Sequence, residues 1–395
     1  MGVVYCDDVV SLRDARRDRG WSQTTAVARL RELAEQGEVD VASAASLKTQ
    51  LSRWENGHVR PHEPYVGLLA EIYELTPAQL GLVARSDLHL PSQRSAGGGS
   101  LPLLTAEAID CMDEIRLQYA RTDNTVGPTY LLQLAAQHVS LLEPTLLATR
   151  GTVRAEALRL CSQFSELAGW LCQDAGDLSA AEKWTDLALD FAEERGDPKQ
   201  RAYVLTRKSG ITLERHEHAR SISLALAAAH DIERLPPQLA SLVMRQQALS
   251  YAVSGDVPAS KSAASRAVET VLSVGPEDVE YAYATPAYVL METGASAFHV
   301  RRLDLAATRL SQAAAQWSDG FARDQGLCLA RLAVVEVSRG NVELAVGVGR
   351  DAVATCLKAD SARTRAVLRS LKELLAPYDR VDSVSELQQE LSQAV

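Results

Sequence analysis

Five polar residues that could read nucleic acid lie close together in the segment SLKTQLSRWENG, residues 46–57; they are Lys48, Thr49, Gln50, Ser52 and Arg53. Amide and cationic side chains hydrogen-bond to base edges in the major groove, and hydroxyl and cationic side chains also hold phosphates. Residues of these types, spaced in this way, therefore indicate contact with DNA. The alternative interpretation is an ordinary surface helix with a solvated polar face.

A helix through this segment would bring the polar side chains onto one face. The apolar residues of the segment follow one another at spacings of four and three; they are Leu47, Leu51 and Trp54. At helical periodicity these three share the buried face and leave the polar residues exposed. Ser46 is a suitable N-cap, and Asn56-Gly57 predicts the end of the helix because both residues tolerate positive φ.

The flanking sequence predicts further short helices. Upstream, residues 9–19 (VVSLRDARRDR) form one predicted helix, which Gly20-Trp21 closes, and residues 22–23 begin the next. Downstream, Arg60-Pro61 precedes a predicted helix at about residues 64–73. The segment is therefore one helix of a small helical domain.

Together these segments resemble the lambda-repressor-like helix-turn-helix fold of XRE-type regulators, of the kind common in actinobacteria. The resemblance rests on LRDARRDRGWSQ at residues 12–23, LSRWENG at 51–57 and LLAEIYELTPAQLG at 68–81. It implies a DNA-binding domain in which residues 46–57 contain the recognition helix. The segment between Gln23 and Leu47 is longer than in the shortest members of the fold, and residues 31–45 predict an extended second helix followed by an inserted loop.

The predicted contacts divide by chemistry. Base or near-base contacts are expected from Lys48, Thr49, Gln50 and Arg53. Phosphate contacts are expected from Gln23, Ser52, Arg16, Arg17 and Arg60. Trp54 is predicted to be a core residue, and Glu55 is expected to cap or pair rather than touch DNA.

The charge of the chain constrains this hypothesis. The chain carries a net charge of −10, and residues 1–95 hold 11 Lys and Arg against 13 Asp and Glu. Residues 11–31, in contrast, carry six Arg and two Asp. DNA binding would thus need a local basic face. Modest affinity per monomer favours a homodimer on two half-sites of a palindromic operator in double-stranded DNA.

Composition predicts an all-α, cytoplasmic protein. The chain has 395 residues, of which 46% are apolar and only 5% aromatic. No apolar run approaches the roughly 20 residues that span a bilayer, so no membrane association is expected. The N-terminus lacks a basic secretory n-region, and the six scattered cysteines are expected to be reduced.

No motif in the sequence indicates an enzyme, a cofactor or a metal site. The sequence contains no P-loop, G-x-G-x-x-G, H-E-x-x-H or G-x-S-x-G. His216 and His218 are close in sequence, but their i,i+2 spacing turns them apart on a helix. We therefore expect a non-enzymatic protein.

The clearest linker is RSAGGGS at residues 94–100, because three consecutive glycines favour a flexible tether. It predicts a helix-turn-helix domain at residues 1–85, a linker at 86–100 and a second domain at 101–395.

The second domain contains internal repeats. Residues 168–192 (AGWLCQDAGDLSAAEKWTDLALDFA) resemble a tetratricopeptide repeat, and similar turns start at residues 176, 216, 255, 303 and 340. Twelve residues after each start lies an alanine; these are Ala188, Ala228, Ala267, Ala315 and Ala352. The recurrence predicts a tetratricopeptide-like α-helical solenoid. Residues 101–149 would supply leading hairpins, and residues 383–394 a closing cap helix.

Such a solenoid implies a concave groove for a partner. The aromatic residues that could line it are Tyr281, Tyr283, Tyr288, Phe298 and Trp317, although core packing is the alternative for each. The architecture resembles the peptide-sensing RRNPP regulators, whose inner helices commonly use asparagines to hold the peptide backbone. Only Asn341 lies inside the repeats here, so a small molecule or a protein remains an alternative to a peptide ligand.

Two functional hypotheses follow. The first is a dimeric transcriptional regulator whose repeat domain senses a peptide, small molecule or protein partner. The second is a protein-interaction scaffold in which DNA binding is secondary. The salt dependence of DNA affinity discriminates between them, because phosphate contacts release counterions.

Overall fold

The computed structural model describes residues 11–36, 41–55, 61, 64–73, 75, 80, 104–273, 281–318, 320–358 and 361–394. Every regular element within these residues is helical, which confirms the all-α prediction. The chain divides into two compact units, Met1–His89 and Leu90–Val395. The predicted linker lies outside the described residues.

The N-terminal unit contains four described helices; these are α1 (Leu12–Asp18), α2 (Gln23–Gln36), α3 (Ala44–Glu55) and α4 (Tyr65–Ile72). The predicted apolar face of α3 is confirmed, because Leu47, Leu51 and Trp54 are all buried. The Trp54 ring lies 5.2 Å from that of Tyr65 on α4. This packing leaves the opposite side of α3 for polar residues.

Helix α3 begins at Ala44, three residues earlier than the sequence predicts, so the assignment of Ser46 as its N-cap was wrong. The backbone N–H of Leu47 donates to the Ser43 carbonyl at 2.8 Å. The N–H of Ser46 donates to the Ser43 hydroxyl at 3.4 Å. Ser43 thus takes the capping role, since serine at either position could satisfy a first-turn N–H. The predicted stop at Asn56-Gly57 lies outside the described residues.

The second unit contains fourteen further α-helices within its described residues; these are α5 (Ala106–Val126), α6 (Thr129–Leu142), α7 (Gly151–Asp174), α8 (Leu178–Arg195), α9 (Pro198–Glu214), α10 (His218–Ala228), α11 (Pro237–Val253), α12 (Val257–Leu272), α13 (Pro286–His299), α14 (Leu303–Ala314), α15 (Ala322–Ser338), α16 (Val342–Cys356), α17 (Ala362–Leu375) and α18 (Asp382–Ala394). Short 3-10 helices lie at Glu143–Leu147, Ile232–Arg234 and Ala376–Tyr378. Helices α5 and α6 lie where leading hairpins were predicted, and α18 lies where the closing helix was predicted.

From α7 onward the helices pair into hairpins, and the first helix of each hairpin packs against the first helices of its neighbours. The first helices α7, α9, α11, α13, α15 and α17 therefore form one continuous inner layer. Small residues allow the two helices of a hairpin to approach closely. A Cβ at Gly169 of α7 would lie 2.7 Å from Thr185 Oγ1 and 3.3 Å from the Ala181 carbonyl of α8.

Five hairpins turn through one residue in the left-handed region; these are Gly176, His216, Gly255, Arg301 and Gly340, with φ between +62° and +89°. At each turn the following N–H donates to the carbonyl five residues earlier, over 2.9–3.1 Å. This Schellman arrangement satisfies the end of the first helix and reverses the chain. It fixes the register of every hairpin.

The fourth turn was predicted at the wrong place. The left-handed residue is Arg301, two residues before the predicted start at Leu303. Twelve residues after Arg301 lies Ala313, which is fully buried, whereas the predicted Ala315 is exposed. The error arose because Arg301 replaces the glycine that marks three of the other turns.

This register generates a first prediction. Replacing Ala313 by Leu should lower the free energy of unfolding by about 1–3 kcal/mol, because the added carbons have no space in the core. Replacing Ala315 by Leu, two residues away and exposed, should change it by less than about 0.5 kcal/mol. Urea unfolding followed by circular dichroism measures both. Equal effects of the two substitutions would show that the register is wrong.

Candidate DNA-binding and ligand-binding sites

The exposed side of α3 carries only some of the predicted DNA contacts within the described side chains. Lys48 is exposed, while Gln50 and Ser52 are half-buried. The Gln50 Oε1 atom is buried and accepts no hydrogen bond from the described residues. The side chains of Thr49 and Arg53, and all of Arg60, lie outside the described part of the chain.

A polar cluster joins the first three helices behind this surface. Arg16 of α1 donates from Nε to Glu55 Oε1 at 2.6 Å and from Nη2 to Oε2 at 2.9 Å. Its Nη1 donates to the Trp21 carbonyl at 2.8 Å. Gln23 of α2 donates to Glu55 Oε2 at 2.9 Å. The carboxylate at the end of α3 is thus held by α1 and α2 together.

These bonds change the roles expected for Arg16 and Gln23. All three nitrogens of the Arg16 guanidinium donate inside the unit, and its side chain is only 12% exposed. Its predicted phosphate contact is therefore replaced by a structural role, and the Gln23 amide shares that role. Glu55 pairs, as expected. Arg17 is exposed and keeps its cation available.

The electrostatics of the cluster agree with its geometry. Burial acts to raise the pKa of Glu55, but the hydrogen bonds from Arg16 and Gln23 outweigh it and leave the pKa below its ordinary value. The hydrogen bond to Glu55 correspondingly raises the pKa of Arg16. The pair is ionised across the neutral range.

In the repeat unit, a half-buried tryptophan on the inner layer is surrounded by arginines. Guanidinium carbons of Arg207 and Arg323 lie 4.6 Å from the Trp170 ring centroid, and that of Arg363 lies at 4.9 Å. Trp170 Nε1 donates to Asp123 Oδ2 at 2.7 Å. Residues from α5, α7, α9, α15 and α17 therefore meet at one indole.

Arg323 links the two ends of the repeat unit. It pairs with Asp123 and donates to Asn124 Oδ1 at 2.9 Å, although about 200 residues separate them. Nearby, the Ser361 hydroxyl donates to Asp174 Oδ1 at 2.7 Å. The leading helix α5 is thus tied to α15, so the stack of hairpins curves back toward its own start.

A cavity of about 130 Å³ opens beside Trp170, and we call it the aromatic pocket; its principal lining residues are Trp170, Tyr203, Tyr283, Tyr288, Glu166, Arg207, Arg323 and Asp324. Tyr283 donates to the Tyr203 hydroxyl at 3.3 Å. Burial raises the pKa of the Asp324 carboxyl. This carboxyl makes no hydrogen bond or ion pair with another described residue.

Two of the five aromatic residues predicted to line a groove, Tyr283 and Tyr288, reach this pocket. The other three do not. Tyr281 is fully buried against Tyr203, while Phe298 and Trp317 pack against the hydrophobic core. Core packing, the alternative considered for each of these residues, therefore describes the three rings.

A second, smaller cavity of about 60 Å³ lies on the other side of Arg207 and Tyr288, and we call it the arginine pocket; its charged lining residues are Arg207, Arg245, Arg331, Arg363, Glu214 and Glu292. Glu292 accepts from Arg331 at 2.8 Å and lies 3.7 Å from Arg245. Burial opposes its ionisation, yet Arg331, Arg245 and Arg363 hold the Glu292 pKa at about 2. The potential in this pocket is therefore strongly positive.

Sequence reasoning missed most of these inner residues, although a signal was present. Five of the six inner helices carry a charge nine or ten residues before their left-handed turns; these are Glu166, Arg207, Arg245, Glu292 and Arg331. A charge that recurs at the repeat period marks a polar surface that the hairpins share. Pairs between neighbouring hairpins follow from it, such as Arg207 with Glu166 at 2.9 Å.

The Arg16–Glu55 pair yields a second prediction. Replacing Glu55 by Ala leaves a mostly buried guanidinium without its partner, and this should destabilise the N-terminal unit by about 3–5 kcal/mol. Hydrogen exchange of amides in α1 and α3 should then accelerate, whereas exchange in α13 should not change. Unchanged protection of α1 and α3 would contradict the structural role of the pair.

The buried Glu292 carboxylate yields a third prediction. Its carboxyl ionises at about pH 2 in the folded protein against an ordinary value of 4.5. Its contribution is therefore complete above about pH 4.5 and is lost as the pH falls toward 2. Glu292→Gln should lower the free energy of unfolding by about 3 kcal/mol at pH 7, and by progressively less below pH 4.5.

Urea unfolding between pH 3 and 7 measures this difference. A double-mutant cycle with Arg331→Gln provides the control, because the second substitution should cost much less once Glu292 is neutral. A difference that does not vary with pH would contradict the assigned ion pairs.

Among the helices that the structure describes, none has both the length and the apolar character required to cross a bilayer. The described side chains also contain no group of three or more His, Cys, Asp or Glu residues placed to hold a metal ion.

No family model and no curated protein matches the chain. Among solved structures, the chain is similar to a Rap protein crystallised in complex with competence and sporulation factor. The two are 12% identical, the match covers 73% of this chain and 92% of that chain, and the TM-score is 0.47. This similarity is too low to carry an argument about ligand or function, so the helical-repeat fold described above rests on the chain's own helices.

Proposed function

We propose that this protein is a homodimeric, sequence-specific DNA-binding transcriptional regulator whose repeat unit senses a ligand. The observation that carries the proposal is the arrangement of α3, in which Leu47, Leu51 and Trp54 are buried while Lys48 is exposed. A helix anchored by one apolar face can present its polar face to a major groove.

In this proposal α2 and α3 form the helix-turn-helix, and α3 is the recognition helix. Lys48, Thr49, Gln50 and Arg53 contact or approach base edges. Ser52, Arg17 and Arg60 hold phosphates. Phosphate contacts fix the register of the helix, while base contacts select the sequence.

The Arg16–Glu55–Gln23 cluster supports the interpretation that α3 is held rigidly enough to recognise a DNA sequence. It ties the end of α3 to α1 and α2 through charge-assisted hydrogen bonds of 2.6–2.9 Å. Such bonds fix orientation better than apolar packing alone. Sequence readout needs this precision, because a small rotation of the helix would misplace every base contact.

The inner pockets support the sensing role. The aromatic and arginine pockets both lie on the layer formed by the first helices of the hairpins. A ligand bound there would contact several hairpins at once and would favour one curvature of the stack over others. Any effect on DNA binding can be no larger than the difference in its affinity for the two states.

The second candidate function is a protein-interaction scaffold. Large apolar side chains are exposed on and after α6, including Tyr130 at 76%, Leu141 at 61% and Leu147 at 83%. Apolar groups of this size in one region are a common mark of a protein contact. The same surface would also serve a homodimer, so DNA affinity decides between the two functions.

The fourth prediction tests DNA binding directly. In vitro selection with the full chain should enrich a palindromic site, and Lys48→Ala/Arg53→Ala should weaken binding to it about 30-fold or more, because each good base contact contributes about 1–3 kcal/mol. Affinity should fall steeply between about 50 and 200 mM salt. Fluorescence anisotropy measures both quantities.

The matched control is Lys261→Ala, which removes an exposed cation from α12 of the repeat unit. It should leave the affinity within about twofold of wild type. If no sequence is enriched, or if the control weakens binding as much as the double variant, the scaffold becomes the better hypothesis.

A further inference from the structure

The arginine pocket contains a cation with no partner of its own. Arg363 makes no direct hydrogen bond or ion pair with any other described residue, and its nearest aromatic contact is the Trp170 ring. Burial acts to lower its pKa, but the carboxylates of Asp174, Glu292 and Glu214, which act on it only through their charge, raise the pKa above its ordinary value.

Arg245 on the same cavity is 5% exposed. It donates from Nη1 to Gln246 Oε1 at 2.8 Å and lies 3.7 Å from Glu292, but its Nε atom has no hydrogen-bond partner among the described groups. Buried cations are normally paired. A buried guanidinium with one unused N–H and a half-buried guanidinium without a direct partner, both on one cavity, therefore point to a ligand.

The charges around this cavity leave a local positive excess. Arg207 is neutralised across the wall by Glu166. Three arginines, Arg245, Arg331 and Arg363, then face two carboxylates, Glu214 and Glu292. Glu292 already accepts from Arg331, and Glu214 accepts from Gln173 at 2.7 Å. Neither carboxylate hydrogen-bonds to Arg363 or to Arg245 Nε.

The size of the cavity limits what it can hold. Its volume of about 60 Å³ suits a carboxylate or phosphate group rather than a folded segment of protein. One wall is Gly210, where a Cβ would meet only the Gln246 amide, at 3.6 Å or more. Tyr288 and Arg207 separate it from the larger aromatic pocket. An anionic head here would thus lie next to an aromatic chamber.

We propose that the arginine pocket binds the anionic head of a small organic acid, a carboxylate or a phosphomonoester, whose ring or chain lies against Tyr288. Arg363 and Arg245 donate the hydrogen bonds that the protein leaves unmade. Planar guanidinium groups suit both anions, because two parallel N–H donors match two oxygens. The inference rests on the sensing role proposed above, and it names the chemistry of that ligand.

Isothermal titration calorimetry of the full chain with benzoate, phenyl phosphate and inorganic phosphate tests the site at constant ionic strength. We expect at least one organic anion to bind. Arg363→Gln should weaken it by about ten- to a hundredfold, the effect of losing charged hydrogen bonds. Arg369→Gln, an exposed arginine of the same helix, should leave binding within about twofold. The ratio of benzoate to phenyl phosphate affinity identifies the head group.

A second variant distinguishes a loss of binding from a loss of folding. Gly210→Leu changes no charge but fills the cavity, and it should abolish binding while circular dichroism remains that of the wild type. Benzyltrimethylammonium tests the rival site, in which Asp324 and the aromatic rings would hold a cation.

Three outcomes would overturn the proposal: no heat from any anion at about 10 mM, equal losses in Arg363→Gln and Arg369→Gln, or binding of the cation alone. DNA selection on the same preparations separates the two proposals. An enriched operator without anion binding would leave the regulator standing and remove only this ligand.

Discussion

Buried charge on the inner layer is the constraint on which the repeat unit depends. An ion placed inside a stack of helices must find its partner from another helix, because its own helix has already used its backbone groups. Glu166 meets Arg207 from the next hairpin, and Arg323 meets Asp123 from the far end of the unit. In a solenoid held by apolar contacts alone, each repeat contacts only the repeats next to it. These ion pairs add contacts that favour one curvature.

The turns supply the register that makes such pairing feasible. Each left-handed residue fixes where its hairpin reverses, and the charge nine or ten residues earlier then falls at an equivalent height on five of the six inner helices. His216 and Arg301 adopt this conformation without being glycine, which costs of order 1 kcal/mol at each position. The Schellman hydrogen bonds and the packing of Ala228 and Ala313 offset that cost.

The helices could be predicted from the sequence more readily than the ligand-binding site, and particular residues show why. The buried stripe of α3 follows from periodicity, which depends on neighbours along the chain, and the first hairpin follows from the resemblance of residues 168–192 to a tetratricopeptide repeat. Ser43 and Arg301 were missed because two residues nearby offered an equally good cap or turn. Trp170 and Arg363 could not be assigned at all, since 193 positions separate them and only the curvature of the stack brings them together.

The N-terminal unit obeys the same rule with fewer charges. In an acidic chain, each cation that is used to hold the fold is lost to a polyanionic partner. Arg16 pairs with Glu55. Arg19 donates a hydrogen bond to the Tyr73 carbonyl and lies over the Tyr73 ring. Lys48 and Arg17 remain exposed. If the unit reads DNA as proposed, the cations that stay exposed set its salt-dependent attraction, because that attraction scales with the phosphates neutralised. Its discrimination between sequences would then depend on base contacts and on a second copy of the unit, which doubles those contacts without adding basic surface to either copy.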